Sequence, residues 1–360
     1  MLKSSPYQDL ESEAFWRTGV TESSPSNPTG VYAKKWDIPY EYKIATAGSC
    51  FAQHISRELK KNGFNVLDLE PAPVGLPERL HSKFGFSMYS CRYGNIYTAQ
   101  QLLQLAREVV GDFKPEDIAW ERAGRYYDAL RPAVEPKGFD SVEVLSAHRA
   151  HHLLQVKKLF SSMDLFIFTL GLTEAWEHRE SGTVFPTAPG VIAGIFDENK
   201  YTFRNYNYND VINAFEQFMQ ILIAMRKGSS LPKFLLTVSP VPLTATASGK
   251  HVLQATTYSK SVLRAVSGEL SNDYSIIDYF PSYEIITNQA ARSHFYESNL
   301  RSVRPEGVEA VMNVFFSEHK PRELSENLMD FDSTKQPKKY VEKDNDDVQC
   351  EEAVAEVFNP

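Results

Sequence analysis

Four short apolar runs punctuate the chain: Tyr42–Ala47, Asp164–Leu170, Lys233–Ser239 and Tyr274–Phe280. Each is nearly continuous rather than alternating, which is the pattern of strands covered on both faces. The segments between them carry helical spacing instead. Phe51, Ile55 and Leu59 fall on one stripe of a segment running from Phe51 to Asn62 and stopped by Gly63, and Leu145, His148, His152, Val156 and Phe160 do the same over Val142–Met163. Tyr208–Lys227, Thr256–Leu270 and a last segment near Pro305–Ser317 behave alike. This alternation predicts an α/β fold, with three α/β/α layers around a mostly parallel sheet joined by right-handed crossovers.

Residues from about Glu70 to Phe139 break the alternation. They hold proline-rich turns, the segment Tyr93-Gly-Asn-Ile-Tyr97, a helix near Ala99–Val109, and the aromatics Trp120, Tyr126 and Tyr127. We read them as a subdomain inserted into a domain spanning residues 40–318, placed to wall a pocket. Arg92, Tyr93, Tyr97, Tyr127 and Arg131 are the side chains expected to approach that pocket. Residues 1–39 form an N-terminal extension. Residues 319–360 read as a disordered acidic tail, apart from a short helix near Glu351–Val357.

Composition sharpens this outline. Hydrophobic residues make up 42% and charged residues 23%, enough to build a core without disulfides or metals. The net charge is -8, of which residues 321–360 contribute -6 from 11 acidic and 5 basic side chains. The body is therefore near neutral, which argues against a nucleic-acid partner. The three cysteines, Cys50, Cys91 and Cys350, have no paired spacing, so neither a disulfide framework nor a CxxC metal site is indicated, and a reducing compartment fits best. No apolar stretch has the length of a secretory signal or a membrane span, and the expectation is a cytoplasmic protein. His148 and His152 have i, i+4 spacing but no carboxylate beside them on that face, so a solvated or interface helix face is expected rather than a metal site. No cofactor is expected: the glycines of Gly182–Pro186 and Gly190–Gly194 lack the Lys-Ser/Thr of a phosphate loop.

Ligands of open parallel sheets sit beyond the carboxyl ends of the strands, and those ends carry the candidate chemistry. After the first run comes Gly48-Ser49-Cys50-Phe51-Ala52-Gln53-His54, with two nucleophile candidates at a helix N-terminus, where the dipole lowers a thiol pKa. After the second comes Gly171-Leu172-Thr173-Glu174-Ala175-Trp176, after the third Ser239-Pro-Val-Pro242, and after the fourth Pro281-Ser-Tyr-Glu284. Cys50 suits a small buried hydrophobe as well as a nucleophile, and Ser49 suits a helix cap.

Gly-Ser-Cys-Phe-Ala at 48–52 resembles the motif that names the GSCFA family. Arg92–Thr98, Gly171–Trp176, Ser239–Pro242, Tyr258–Ser261 and Phe280–Glu284 look like further blocks of it, so the resemblance covers roughly residues 40–318. The layout is similar to SGNH (GDSL-type) hydrolases, serine esterases and acyltransferases on a flavodoxin-like three-layer fold. That likeness implies Cys50 in the place of the nucleophilic serine and Thr173 in the place of the oxyanion amide. The Asp-x-x-His pair falls on Asn299 and Ser302, which supply neither acid nor base. His251, His54 and His294 are then the substitutes for the base.

Two functions follow. One is a hydrolase or acyltransferase of O-acyl esters, glycan esters among them, with Cys50 or Ser49 as nucleophile, His251 or His54 as base, Thr173 assisting, and Gly48, Gly171, Glu174, Arg92 and Tyr93 shaping the substrate site. The other is a binding or scaffold protein that retains the pocket without the chemistry.

Overall fold

The computed structural model describes residues 5–320 and 350–358. In chain order the first half contains β1 (Ile44–Gly48), α1 (Phe51–Lys61), α2 (Ala99–Val110), β2 (Ala119–Arg122), β3 (Arg125–Asp128), α3 (Val142–Ser162) and β4 (Leu165–Leu170). The second half contains β5 (Glu174–His178), β6 (Val184–Phe185), β7 (Tyr201–Asn205), α4 (Tyr208–Arg226), β8 (Lys233–Val238), α5 (Val252–Asp273), β9 (Ile277–Tyr279), α6 (Ser282–Thr287) and α7 (Pro305–Glu318).

The four apolar runs form one sheet in the order β1-β4-β8-β9, every neighbouring pair parallel. Outside β1, Val66 bridges Ile44 in parallel, with the Ile44 N–H on Asn65 O at 2.9 Å and the Leu67 N–H on Ile44 O at 2.8 Å. Counting that short piece, the five segments lie in the spatial order second, first, third, fourth, fifth. Side chains alternate across the sheet. Ile44, Leu165, Ile167 and Leu235 join a cluster with Phe51, Ile55 and Leu59 of α1 and Val311 and Phe315 of α7. Ala45, Phe166, Phe168, Phe234 and Leu236 join a larger one with residues of α2, α3, α4 and α5. Helices thus cover both faces of a mostly parallel sheet, as the continuous apolar runs require.

Residues 70–139 share the larger core instead of standing apart from it. Tyr89, Cys91, Tyr93 and Ile96 are buried there together with Leu102 and Ala106 of α2. The N-terminal segment is also held: Tyr32 and Ile38 are buried in the smaller cluster, and the Tyr32 hydroxyl donates to Asp278 Oδ2 at 2.9 Å. Two antiparallel features have no counterpart in the expected elements, the β2–β3 hairpin and the sheet β6-β5-β7. β5 reads Glu-Ala-Trp-Glu-His and shows no apolar run. Cross-strand contact supplies what its sequence lacks, since Trp176 stands opposite Phe185 on one side and Phe203 on the other.

Buried ion pairs tie residues 70–139 to α3. Asp128 accepts from Arg131 Nε at 2.6 Å and from Arg149 Nη1 at 3.1 Å, and Arg149 also pairs with Glu108. His152, read from sequence as part of a solvated or interface face, is buried with Nδ1 2.7 Å from Glu70 Oε2. Its partners Glu70 and Tyr93 come from a distant segment that helical spacing cannot reveal. Burial, with Arg131 nearby, pushes the His152 imidazolium down to about 4, so the neutral ring donates to an ionised Glu70 at neutral pH.

The sign of the acid response follows. The unfolded imidazole takes up its proton near 6.5 and the folded one near 4, so the unfolded state binds more protons between those values and stability falls as pH drops through them. Urea midpoints measured at steps from pH 7 to pH 4 should fall. The fall should be smaller in His152→Asn, and an unchanged slope in that variant would contradict the assignment.

Candidate active site

β1 and β4 end side by side, and the chain leaves both through glycine. Gly48 has φ +138°, and a Cβ on it would stand 2.4 Å from Thr169 O, so no other residue lets the strands approach as they do. A Cβ on Gly171 would stand 2.8 Å from Ser49 Cβ and 3.2 Å from Tyr97 O. The loop leading into α2 is stitched into the same corner. The Ile96 N–H donates to Gly48 O at 2.9 Å, and Tyr97 O accepts from the N–H groups of Gly171 and Leu172, both at 3.0 Å. A capping box between Thr98 and Gln101 starts α2 immediately afterwards and fixes the direction in which the loop leaves.

Ser49 is 3% exposed, and its hydroxyl has no partner among the described residues. Cys50, 5% exposed, opens α1. It lies on the floor of a cleft of about 880 Å³ that His54, Arg57, Glu297, Arg301 and Cys350 also line. Gln53 on α1 donates through Nε2 to Asn95 Oδ1 at 3.2 Å, and the Tyr89 hydroxyl sits between Ser49 O, at 3.0 Å, and the same Asn95 oxygen.

The end of the chain returns to this corner. Glu351–Phe358 forms a 3-10 helix, close to the short helix anticipated near Glu351–Val357; Cys350 and Ala353 line the cleft, and Glu351 is buried. Most of the tail read as disordered lies outside the described residues. Cys350 Sγ accepts from the Cys50 thiol and lies 3.5 Å from Arg301 Nη2 and 3.7 Å from Tyr97 Oη. The Cys50 donor, with the Arg301 guanidinium, holds the Cys350 thiol well below its ordinary range despite burial. Glu351 is 3% exposed; its Oε2 accepts from the Tyr97 hydroxyl at 2.9 Å and from Asn95 Nδ2. Burial raises its carboxyl pKa.

Of the residues singled out from sequence, the structure brings Gly48, Ser49, Cys50, His54, Gly171 and Tyr97 together. Others are placed in different surroundings. The Thr173 hydroxyl donates to Asn205 Oδ1 at 2.7 Å, and Glu174 Oε1 accepts from Thr246 at 2.8 Å. Arg92 is buried against Phe84 O, Val134 O and Glu135, while Tyr93 donates to Thr46 O. Arg131 is bound to Asp128, and Tyr127 lines a separate groove with Val354 of the terminal helix. His251 is exposed and caps α5 by accepting the Leu253 N–H at 3.1 Å; His294 is exposed as well. Asn299 and Ser302 bond to each other at 3.0 Å in the turn before α7, and Arg301 between them reaches the cleft.

Asn95, Arg301, Cys350 and Glu351 escape the sequence reading. Asn95 lies inside the Arg92–Thr98 block and could have been found there as the one amide in a run of aromatic and glycine residues. Cys350 and Glu351 carry no such signal, because an acidic low-hydrophobicity stretch looks the same whether or not two of its residues are buried. Among the described residues no His, Cys, Asp and Glu cluster could hold a metal ion, and no helix is long and apolar enough to cross a membrane.

The model of the GSCFA family matches residues 43–315. No curated protein and no solved structure matches the chain.

The thiol pair has a direct chemical consequence. Peroxide should oxidise one thiol of the pair to a sulfenic acid with loss of hydroxide, and the other thiol should then displace water to form a disulfide. Cys91, 2% exposed and with its pKa raised by burial, stays out of this exchange. Mild peroxide should therefore consume two of the three thiols and join the Cys50 and Cys350 peptides, reversibly with dithiothreitol. Separate over-oxidation of the two cysteines would contradict the contact.

Proposed function

We propose, on the premise that this chain belongs to the GSCFA family, that it is an SGNH-like hydrolase or acyltransferase of O-acyl esters with Cys50 as nucleophile. The observation that carries the reading is the place of Cys50. It opens α1 at the carboxyl edge of a parallel sheet, on the floor of a large cleft, with Asn95 and Tyr97 holding a carboxylate oxygen in the same corner. Active sites of open α/β sheets lie at that edge. The five-segment order, with Val66 outside β1, is the flavodoxin-like one and supports the same layout.

In this reading the Cys350 sulfur withdraws, Cys50 gives its proton to a base, and the thiolate, favoured by the helix N-terminus, attacks the acyl carbon while the alcohol leaves with a proton. His54, one helical turn from Cys50 and lining the same cleft, is the histidine placed to carry that proton. Ser49 faces Gly171, not the cleft, and serves as the packing partner that the glycine accommodates. The resulting thioester is released to water in a hydrolase or to a second hydroxyl, a glycan hydroxyl for example, in an acyltransferase. Arg57 and Arg301 on the cleft walls suit an anionic or polyhydroxylated substrate. The lining of the cleft by Cys350 and Ala353 of the chain's own terminus also suits the second reading, a binding protein whose pocket takes a peptide.

Turnover of p-nitrophenyl acetate decides between them. Cys50→Ala should lower kcat/KM by about a thousandfold, because removing the nucleophile leaves only binding and electrostatic contributions. Cys50→Ser should keep a small residue of activity, and His54→Asn should lose about a hundredfold, the usual contribution of a general base. Unchanged activity in Cys50→Ala would reject Cys50 as nucleophile.

A further inference from the structure

The groups that hold Glu351 are positioned by neighbours other than Glu351. Asn95 and Tyr97 are each 2% exposed, and both sit on the loop stitched to Gly48, Gly171 and Leu172. The amide of Asn95 is oriented by its own neighbours. Its Oδ1 faces the donors Gln53 Nε2 and Tyr89 Oη, which leaves Nδ2 turned toward the pocket. Tyr97 Oη points at the same spot, so two neutral donors converge on one oxygen, Oε2 of Glu351. Gln53 lies on α1 one turn from Cys50, and Tyr97 Oη also touches the sulfur that Cys50 contacts. The pocket and the thiol therefore belong to one corner.

Two neutral, fixed donors on one oxygen next to a nucleophile are what a developing oxyanion requires. Their hydrogen bonds strengthen as charge accumulates on the acyl oxygen. Thr173, which the SGNH likeness puts in that role, is engaged by Asn205.

We infer that Asn95 Nδ2 and Tyr97 Oη form the oxyanion-binding pocket of this site, and that Glu351 occupies it as an internal carboxylate mimic of the acyl group. With the terminus seated, Glu351 fills the donors and Cys350 takes the hydrogen bond of Cys50, so the site rests in an occupied form. A substrate ester or a short carboxylic acid competes with Glu351 for the same two donors. This inference rests on the acyl-transfer reading for the role of the donors, but not for their affinity for carboxylates.

The test uses the full chain. In Glu351→Ala, iodoacetamide should alkylate Cys50 about tenfold faster than in the wild type, because the competent fraction of the site rises. Millimolar acetate or butyrate should slow that alkylation again. In Glu351→Ala with Tyr97→Phe the protection should weaken, and kcat for p-nitrophenyl acetate should fall about a hundredfold with KM little changed, the cost of one oxyanion donor. Loss of protection together with intact kcat would leave a carboxylate site with no catalytic part and would overturn the oxyanion role. An alkylation rate unmoved by Glu351→Ala, or by carboxylates in that variant, would overturn the pocket itself. Protection by carboxylates without turnover in any variant would support the pocket while rejecting the acyl-transfer reading.

Discussion

The close approach of β1 to β4 at their carboxyl ends is the constraint on which the site depends. Gly48 lets the β1 backbone lie against Thr169, and Gly171 lets Ser49 and Tyr97 O press against the start of the next loop. A side chain at either glycine would need backbone to move, since the atoms it would meet include Thr169 O and Tyr97 O. From that one contact follow the position of Cys50 at the head of α1, the seat of the 93–98 loop, and the direction of the Asn95 and Tyr97 side chains. The aromatic layers beneath the sheet give this corner a stiff base. Phe166 packs on Phe218 at 5.7 Å between ring centroids, and Phe160 on Phe218 at 5.5 Å.

Polar groups around the corner are specialised by burial. Deep pairs such as Asp128 with Arg131 and Arg149 hold the 70–139 segment against α3, and breaking such a pair leaves a buried charge, at a cost of about 3–5 kcal/mol. At the cleft the same physics acts on reactivity. Burial alone raises a thiol pKa, yet Cys350 is pulled down because Cys50 and Arg301 both face its sulfur. Burial raises the Glu351 carboxyl pKa, and the neutral donors Asn95 and Tyr97 oppose that shift without overcoming it. Two adjacent residues of one segment are thus tuned in opposite directions by what each touches.

The layered fold was legible because the four strands are apolar on both faces and the helices keep their stripe, so periodicity alone separates them. β5 and the β2–β3 hairpin were not, since their order comes from cross-strand partners such as Phe185 and Phe203 rather than from a local pattern. Half of the site was legible for a related reason: Gly48, Cys50 and Gly171 are fixed by strand ends, which sequence locates well. The other half is set by long-range contact. Asn95 acts on a residue 256 positions away, and Thr173, in the place that a linear motif assigns to the oxyanion donor, spends its hydroxyl on Asn205. The tail shows the same limit, because its mean composition predicts solvation while Cys350 lines the cleft and Glu351 is buried on Asn95 and Tyr97.

The central claim, that Cys50 is the atom that accepts an acyl group, is tested most directly by trapping that group. Full-length protein would be mixed with an activated acetyl ester, quenched in acid within seconds, and its proteolytic peptides analysed by mass spectrometry. The account predicts a single acetyl group on the peptide carrying Cys50, labile to hydroxylamine as a thioester is. An acetyl group on Ser49, or only random acetylation of surface lysines, would contradict it.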